Sequence, residues 1–154
     1  MGLDTRILGV GNSYRGDDGV GPWVIAALRQ RLPRASLAVS DGEMSNLLAE
    51  FGGCQALLLI DALDAATAGV DAGTVVRLDG RDAKLEATGL RASTHAMGVA
   101  EAVSMAKALD CLPGDFSVIG IAGTCFENRE GLSRPVRDAA AALVEELMRE
   151  LEHA

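Results

Sequence analysis

Apolar and polar positions along the chain fall into two alternating periods. Thr5–Val10 is a short apolar run that ends in Gly9-Val10-Gly11-Asn12, the pattern of a strand entering a tight loop. From Val20 the apolar residues Val20, Trp23, Val24, Ala27, Leu28 and Leu32 recur at helical spacing. Pro22 suits the first turn of that helix, where a missing N–H costs nothing. Ser36–Ser40 reads as a second strand. Leu47, Leu48 and Phe51 predict a short helix closed by Gly52-Gly53. Ala56–Ile60 is continuously apolar, as expected of a central parallel strand covered on both faces. Gly73–Leu78 reads as a further strand at a sheet edge. Val99, Val103, Ala106 and Leu109 form another helical stripe, entered through Ser93-Thr94-His95, and Phe116–Ile121 is the next buried strand. Leu132, Val136, Ala140, Leu143, Leu147 and Leu151 mark a last amphipathic helix, with Ser133 as its N-cap and Pro135 in its first turn.

Strand and helix alternate without a linker, repeat or break, so one domain is expected over residues 1–154. The pattern predicts an α/β fold of three layers, α/β/α, around a twisted, mostly parallel sheet of about five strands. In such folds the binding crevice lies beyond the carboxyl ends of the strands.

Composition narrows the function classes. A chain of 154 residues buries about two thirds of its unfolded surface, so folding needs neither disulfide nor metal. With 18 glycines in no period and 4 prolines, it is not collagen-like. Twenty-two acidic residues against 14 basic give a net charge of −8, which disfavours a nucleic-acid partner. Residues 1–40 are slightly basic, with five basic and three acidic side chains, but form no basic patch. Aromatics at 3% leave few platforms for stacking bases. No apolar run approaches the roughly 20 residues of a membrane span, and MGLDTRILGVG does not read as a signal peptide. Cys54, Cys111 and Cys125 are odd in number and form no CxxC, so they read as reduced, mostly buried thiols of a cytoplasmic protein.

Three loops beside strand ends carry candidate chemistry. His95 precedes a helix, where the positive end of the dipole favours a neutral imidazole able to ligate a metal. His153 lies in the C-terminal tail and is set aside. Asp61 follows Leu57-Leu58-Leu59-Ile60, where a carboxylate must be paired, hydrogen-bonded or metal-bound. Asp64 is expected to be exposed in the following turn. Asp17 and Asp18 precede the first helix; one is expected to cap it, leaving the other to face the crevice. Two carboxylates and an imidazole suit a divalent ion of borderline or hard character. The third glycine of a dinucleotide fingerprint is missing after Gly9-Val10-Gly11, and no Walker, GxSxG or HExxH pattern occurs.

The run from Gly9 to Gly21, GVGNSYRGDDGVG, closely resembles the opening of the [NiFe]-hydrogenase maturation proteases. So do Leu59-Ile60-Asp61-Ala62 with Gly73-Thr74-Val75, Ser93-Thr94-His95-Ala96-Met97-Gly98, and Gly120-Ile121 followed by Gly131-Leu132-Ser133. The resemblance spans nearly the whole chain in order. It implies an endopeptidase that removes a short C-terminal peptide from the hydrogenase large-subunit precursor after nickel insertion. The family's metal-binding acids fall on Asp18 and Asp61 and its histidine on His95, which leaves Asp17 as the helix cap. Two departures stand out. Asp41-Gly42-Glu43-Met44-Ser45-Asn46 keeps the Asp-Gly of a family substrate loop but lacks its second Gly. The first acid is Asp where some members carry the longer Glu.

On this reading Asp18, Asp61 and His95 are both metal-contacting and catalytic. The nickel arrives in the precursor, and other divalent cations are able to substitute. The metal acts as a recognition template or as a Lewis acid, or a carboxylate acts as general base for water. The precursor is a transient protein partner, and the enzyme is expected to be a monomer. Two rivals come from other classes, a nickel-binding chaperone with the same ligands and a nucleotide-binding module that would use Gly9–Gly11. A nickel-binding chaperone would hold the ion without cutting. A nucleotide-binding module would set phosphate against Asp17 and Asp18, which like charge opposes.

Overall fold

Residues 4–33, 35–82, 85, 89–90 and 98–152 are described by the computed structural model. Five strands form one sheet: β1 (Arg6–Val10), β2 (Leu37–Ser40), β3 (Ala56–Asp64), β4 (Val75–Asp79) and β5 (Asp115–Gly123). Their spatial order is β2-β1-β3-β5-β4. All neighbours pair in parallel except β4, which joins β5 antiparallel; its place at the edge is the one expected of Gly73–Leu78.

The helices are α1 (Val20–Arg31), α2 (Met44–Gly52), the single turn α3 (Ala65–Ala68), α4 (Val99–Ala108) and α5 (Arg134–Glu152). Because side chains alternate along a strand, each central strand feeds two cores. Ile7, Leu58, Ile60, Ile119 and Ile121 pack under α1 and α5 against Val24, Leu28, Val136 and Leu143. Leu8, Val10, Leu57, Leu59 and Val118 pack under α2 and α4 against Leu47, Phe51, Ala102 and Val103. The layers are therefore α/β/α. Each fully buried Leu or Ile contributes about 1.5–3 kcal/mol, which explains why β3 and β5 read as apolar runs.

Two expectations need adjustment. Leu109 is 60% exposed, since α4 ends at Ala108 and the buried stripe is Val99, Ala102, Val103 and Ala106. The cysteines are half-buried free thiols rather than core residues. Among the described residues no helix is long and apolar enough to cross a membrane.

The sequence glycines act where α1 meets the sheet. A Cβ on Gly9 would lie 2.4 Å from the Gly21 carbonyl oxygen. One on Gly21 would lie 2.6 Å from the Val10 amide and from the Ile60 carbonyl oxygen. Bare backbone on both sides lets the first turn of α1 rest directly on the ends of β1 and β3.

Candidate active site

The chain turns from β1 toward β2 on one side and from β3 toward β5 and β4 on the other. The loops leaving β1 and β3 thus diverge, and a crevice opens between them at the carboxyl ends. The register makes the opening larger. β1 pairs with β3 only as far as Gly9 with Ile60, whereas β3 continues along β5 to Asp64 with Gly123. Asp61 is the first residue of β3 beyond the last β1 pair. It does not end the strand, as its apolar run suggested. It is fully buried, on the Leu57 and Leu59 face by alternation, and its Oδ1 accepts the Ala62 N–H at 2.8 Å. Asp64 is half-buried rather than exposed and caps α3 by accepting from the Ala66 N–H at 3.1 Å.

Asp18 comes from the loop after β1. Residues Gly16–Gly19 form a 3-10 turn leading into α1 and packed against β3. Gly11, at φ +145°, admits the Asp18 carbonyl into space that a Cβ would occupy. Asp18 is 3% exposed, and its Oδ2 accepts the Asn12 N–H at 3.2 Å. Asn12 in turn accepts the Tyr14 N–H at 2.9 Å. The loop is thereby folded onto its own carboxylate.

Asp17 is not a cap for α1, which has Gly19 at its N-cap and no side-chain cap bond. Fully buried, it points across to the loop between β5 and α5. Its Oδ2 accepts the Thr124 and Cys125 N–H groups, each at 3.1 Å, and the Ser133 hydroxyl at 2.9 Å; its Oδ1 accepts the Ser133 N–H at 2.7 Å. The Ser133 carbonyl accepts from Arg137, so Ser133 does precede α5, but its hydroxyl serves Asp17. Four donors satisfy a charge whose burial would otherwise be prohibitive. Sequence reasoning missed this latch. Its signal is Gly123, where a Cβ would come within 2.7 Å of the Asp17 Cβ.

Arg15 was also missed. Its Nε is shielded from solvent and has no hydrogen-bond partner among the described residues, a state that costs about 1–3 kcal/mol.

His95 and His153 lie outside the described residues. Among the described residues no three His, Cys, Asp or Glu side chains form a metal-sized group. The described neighbours of the His95 segment are anchored nevertheless. Leu90 bridges Leu63, two residues beyond Asp61, the Asp64 N–H donates to the Gly89 carbonyl at 2.9 Å, and Gly98 begins α4.

The buried acids lie at the switch point of a doubly wound α/β sheet, the place where proteins of this architecture bind their ligands. Comparison gives the family. Residues 24–150 match the family model described as hydrogenase maturation protease, and the chain belongs to that family of peptidases. The match takes in Asp61 and His95 and begins after Asp18. No curated protein matches the chain. The solved hydrogenase maturating endopeptidase HybD from E. coli is 24% identical, with a TM-score of 0.75 over 97% of this chain and 92% of that one. The [NiFe] hydrogenase maturation protease HycI from Thermococcus kodakarensis KOD1 is 21% identical, with a TM-score of 0.74 over 97% and 93%. HybD from Thermococcus kodakarensis is 22% identical, with a TM-score of 0.70 over 94% and 97%. At this identity the three likenesses establish the fold.

Proposed function

We propose that this peptidase removes a C-terminal peptide from the nickel-loaded precursor of a [NiFe]-hydrogenase large subunit, with Asp18, Asp61 and His95 meeting the nickel. One observation carries the reading: Asp18 and Asp61 are carboxylates buried at the adjoining carboxyl ends of β1 and β3, where β3 overruns its neighbour. The anchored flanks of the His95 segment, with Leu90 beside Leu63, support the same grouping.

The nickel belongs to the substrate and arrives seated in the precursor; other divalent cations are able to replace it. Two carboxylates and an imidazole are a donor set for such a borderline cation. Once docked, the ion supplies positive charge beside the scissile carbonyl. The chain's own residues do the rest. One carboxylate takes a proton from water as the water oxygen adds to the carbonyl carbon. The C–N bond then breaks, and that proton passes to the departing amine. A precursor without nickel lacks the cation these acids need and is left uncut. The enzyme works in the cytoplasm as a monomer, touching its precursor transiently.

The test incubates the protein with cognate precursor, nickel-loaded and nickel-free, and weighs the products by mass spectrometry. Loss of a C-terminal peptide from the loaded form alone is expected. Tight nickel binding by the isolated protein with no cleavage of either form would overturn the reading in favour of a nickel-carrying chaperone.

A further inference from the structure

Arg15, in the loop that bears Asp18, lies beside Arg129, in the loop between β5 and α5. Arg15 and Arg129 face each other in a parallel bridge: the Gly16 N–H donates to the Arg129 carbonyl at 2.8 Å, and the Arg129 N–H donates to the Tyr14 carbonyl at 3.0 Å. Residues paired in this way project to the same side of the ladder, with strands about 4.8 Å apart. Two like charges set opposite one another are destabilising. No ion pair among the described residues includes either of them. Among the described residues the ion pairs are Arg6 with Glu50, Arg31 with Glu145, and Arg77 with Glu146 and Glu150. Glu127 and Glu130 flank Arg129 in sequence but pair with neither arginine, and the Asp17 oxygens are occupied by Thr124, Cys125 and Ser133.

In a chain of net charge −8, stability alone gives no reason to set two free guanidiniums together. The Arg15 side chain is half-buried, and its Nε has no hydrogen-bond partner among the described residues, so nothing among them is seen to hold its charge. Arg129 and the neighbouring Tyr14 are exposed, so the pair is reachable from solvent. It also adjoins the proposed catalytic acid, since the Asp18 N–H donates to the Arg15 carbonyl at 3.1 Å.

We propose that Arg15 and Arg129 form a carboxylate-recognition site that anchors the precursor's C-terminal region. A carboxylate would accept from the terminal Nη pair of the half-buried Arg15 guanidinium and gain the charge of Arg129. The chemistry fits an acidic side chain of the tail or the terminal carboxylate of the chain. This site rests on the peptidase reading for its partner, but it acts in binding rather than cutting.

The experiment therefore measures binding of nickel-free precursor by calorimetry, where no cleavage occurs. Arg15→Gln and Arg129→Gln should each raise the Kd roughly tenfold, the loss of one charge-assisted contact. Arg15→Lys, which keeps charge without the fork, should recover only part of that loss. Circular dichroism verifies folding, and the exposed Arg129 variant carries the test should Arg15 variants misfold. A precursor with an amidated C-terminus, and one with tail Asp and Glu changed to Asn and Gln, identify the carboxylate; whichever weakens binding names the source. Kd values within twofold of wild type for both Arg→Gln variants would overturn the inference. So would full binding by both neutralised precursors, or no binding of nickel-free precursor by the wild type. Failure of cleavage with an intact arginine effect would instead remove the peptidase mechanism and leave this site standing.

Discussion

Both oxygens of the Asp17 carboxylate are bound by Ser133: Oδ1 accepts its backbone N–H at 2.7 Å and Oδ2 accepts its hydroxyl at 2.9 Å. The two residues are 116 positions apart, so this contact ties the loop after β1 to the start of α5. Asp17→Asn places an amide donor where Thr124, Cys125 or Ser133 already donates. Bonds to a buried charge are worth about 1.5–3 kcal/mol each, partly recovered by relaxation. The expected loss is roughly 3 kcal/mol, or about 6–12 °C in melting temperature. Ser133→Ala keeps the backbone donor and should cost about 1 kcal/mol. Thermal unfolding followed by circular dichroism checks both values. Equal effects from the two variants would contradict the latch.

The contact between α1 and the sheet gives a second prediction. At Gly21 a Cβ would sit 2.6 Å from the Val10 amide nitrogen, the Val10 carbonyl oxygen and the Ile60 carbonyl oxygen. These are backbone atoms of two central strands and cannot rotate away. Gly21→Ala should therefore lift α1 from the sheet and destabilise the protein by about 3 kcal/mol or more. At Gly52 a Cβ meets nothing, so Gly52→Ala should stay within about 1 kcal/mol of wild type. Urea titration of the pair makes the comparison. Similar midpoints for both variants would show that the close approach is absent in solution.

Much of this was legible in the sequence, for physical reasons. The central strands are covered on both faces and therefore read as unbroken apolar runs. Pro22, Pro135 and the residue before α5 marked helix starts by local chemistry alone. The limits have the same origin. Periodicity ends where residues turn polar, so Asp61 seemed to close a strand that in fact continues to Asp64 in the company of β5. The acids beside α1 were read by the local rule of helix capping, but Asp17 answers to donors more than a hundred residues away. Arg15 carried no sequence signal, because its significance is the absence of a partner near Arg129. Asp61 stood out because a charge that follows an unbroken apolar run is conspicuous even in one dimension, and it is buried.

Cys54 provides a pH test. Its thiol donates to the Glu50 carbonyl at 3.4 Å, and burial pushes its pKa up, with Arg6 opposing and Glu50 adding to the rise. A group raised in the folded state stabilises fully below its unfolded pKa, about 8.5 for a thiol, and loses that contribution as pH climbs through the folded value. Stability of the wild type should thus decline above about pH 8.5, with Cys54→Ala showing a shallower decline over the same range. Urea midpoints between about pH 7 and 10 provide the measurement, and the difference between the proteins isolates the thiol from other alkaline groups. Alkylation of Cys54 should lag behind that of a free cysteine at pH 8. A steeper alkaline decline in the variant would reverse the assigned direction.

The proposed chemistry is tested by separating charge from shape at the two acids. Asp61→Asn retains an oxygen for the Ala62 N–H, and Asp18→Asn retains one for the Asn12 N–H, so these two contacts survive. What disappears is the negative charge that would meet the precursor's cation and accept a proton from water. Cleavage of nickel-loaded precursor should fall by at least about 10²-fold in each variant, the scale of a lost general base or electrostatic partner. Melting temperatures should shift by only a few degrees. His95→Ala should likewise abolish cleavage with little loss of stability. The double variant Asp18→Asn/Asp61→Asn should be little worse than either single, because groups acting as a unit are strongly non-additive. Multiplied losses in the double would mean that the acids work independently, and full activity in Asp61→Asn would remove β3 from the catalytic site. A large stability drop in His95→Ala would make that histidine structural.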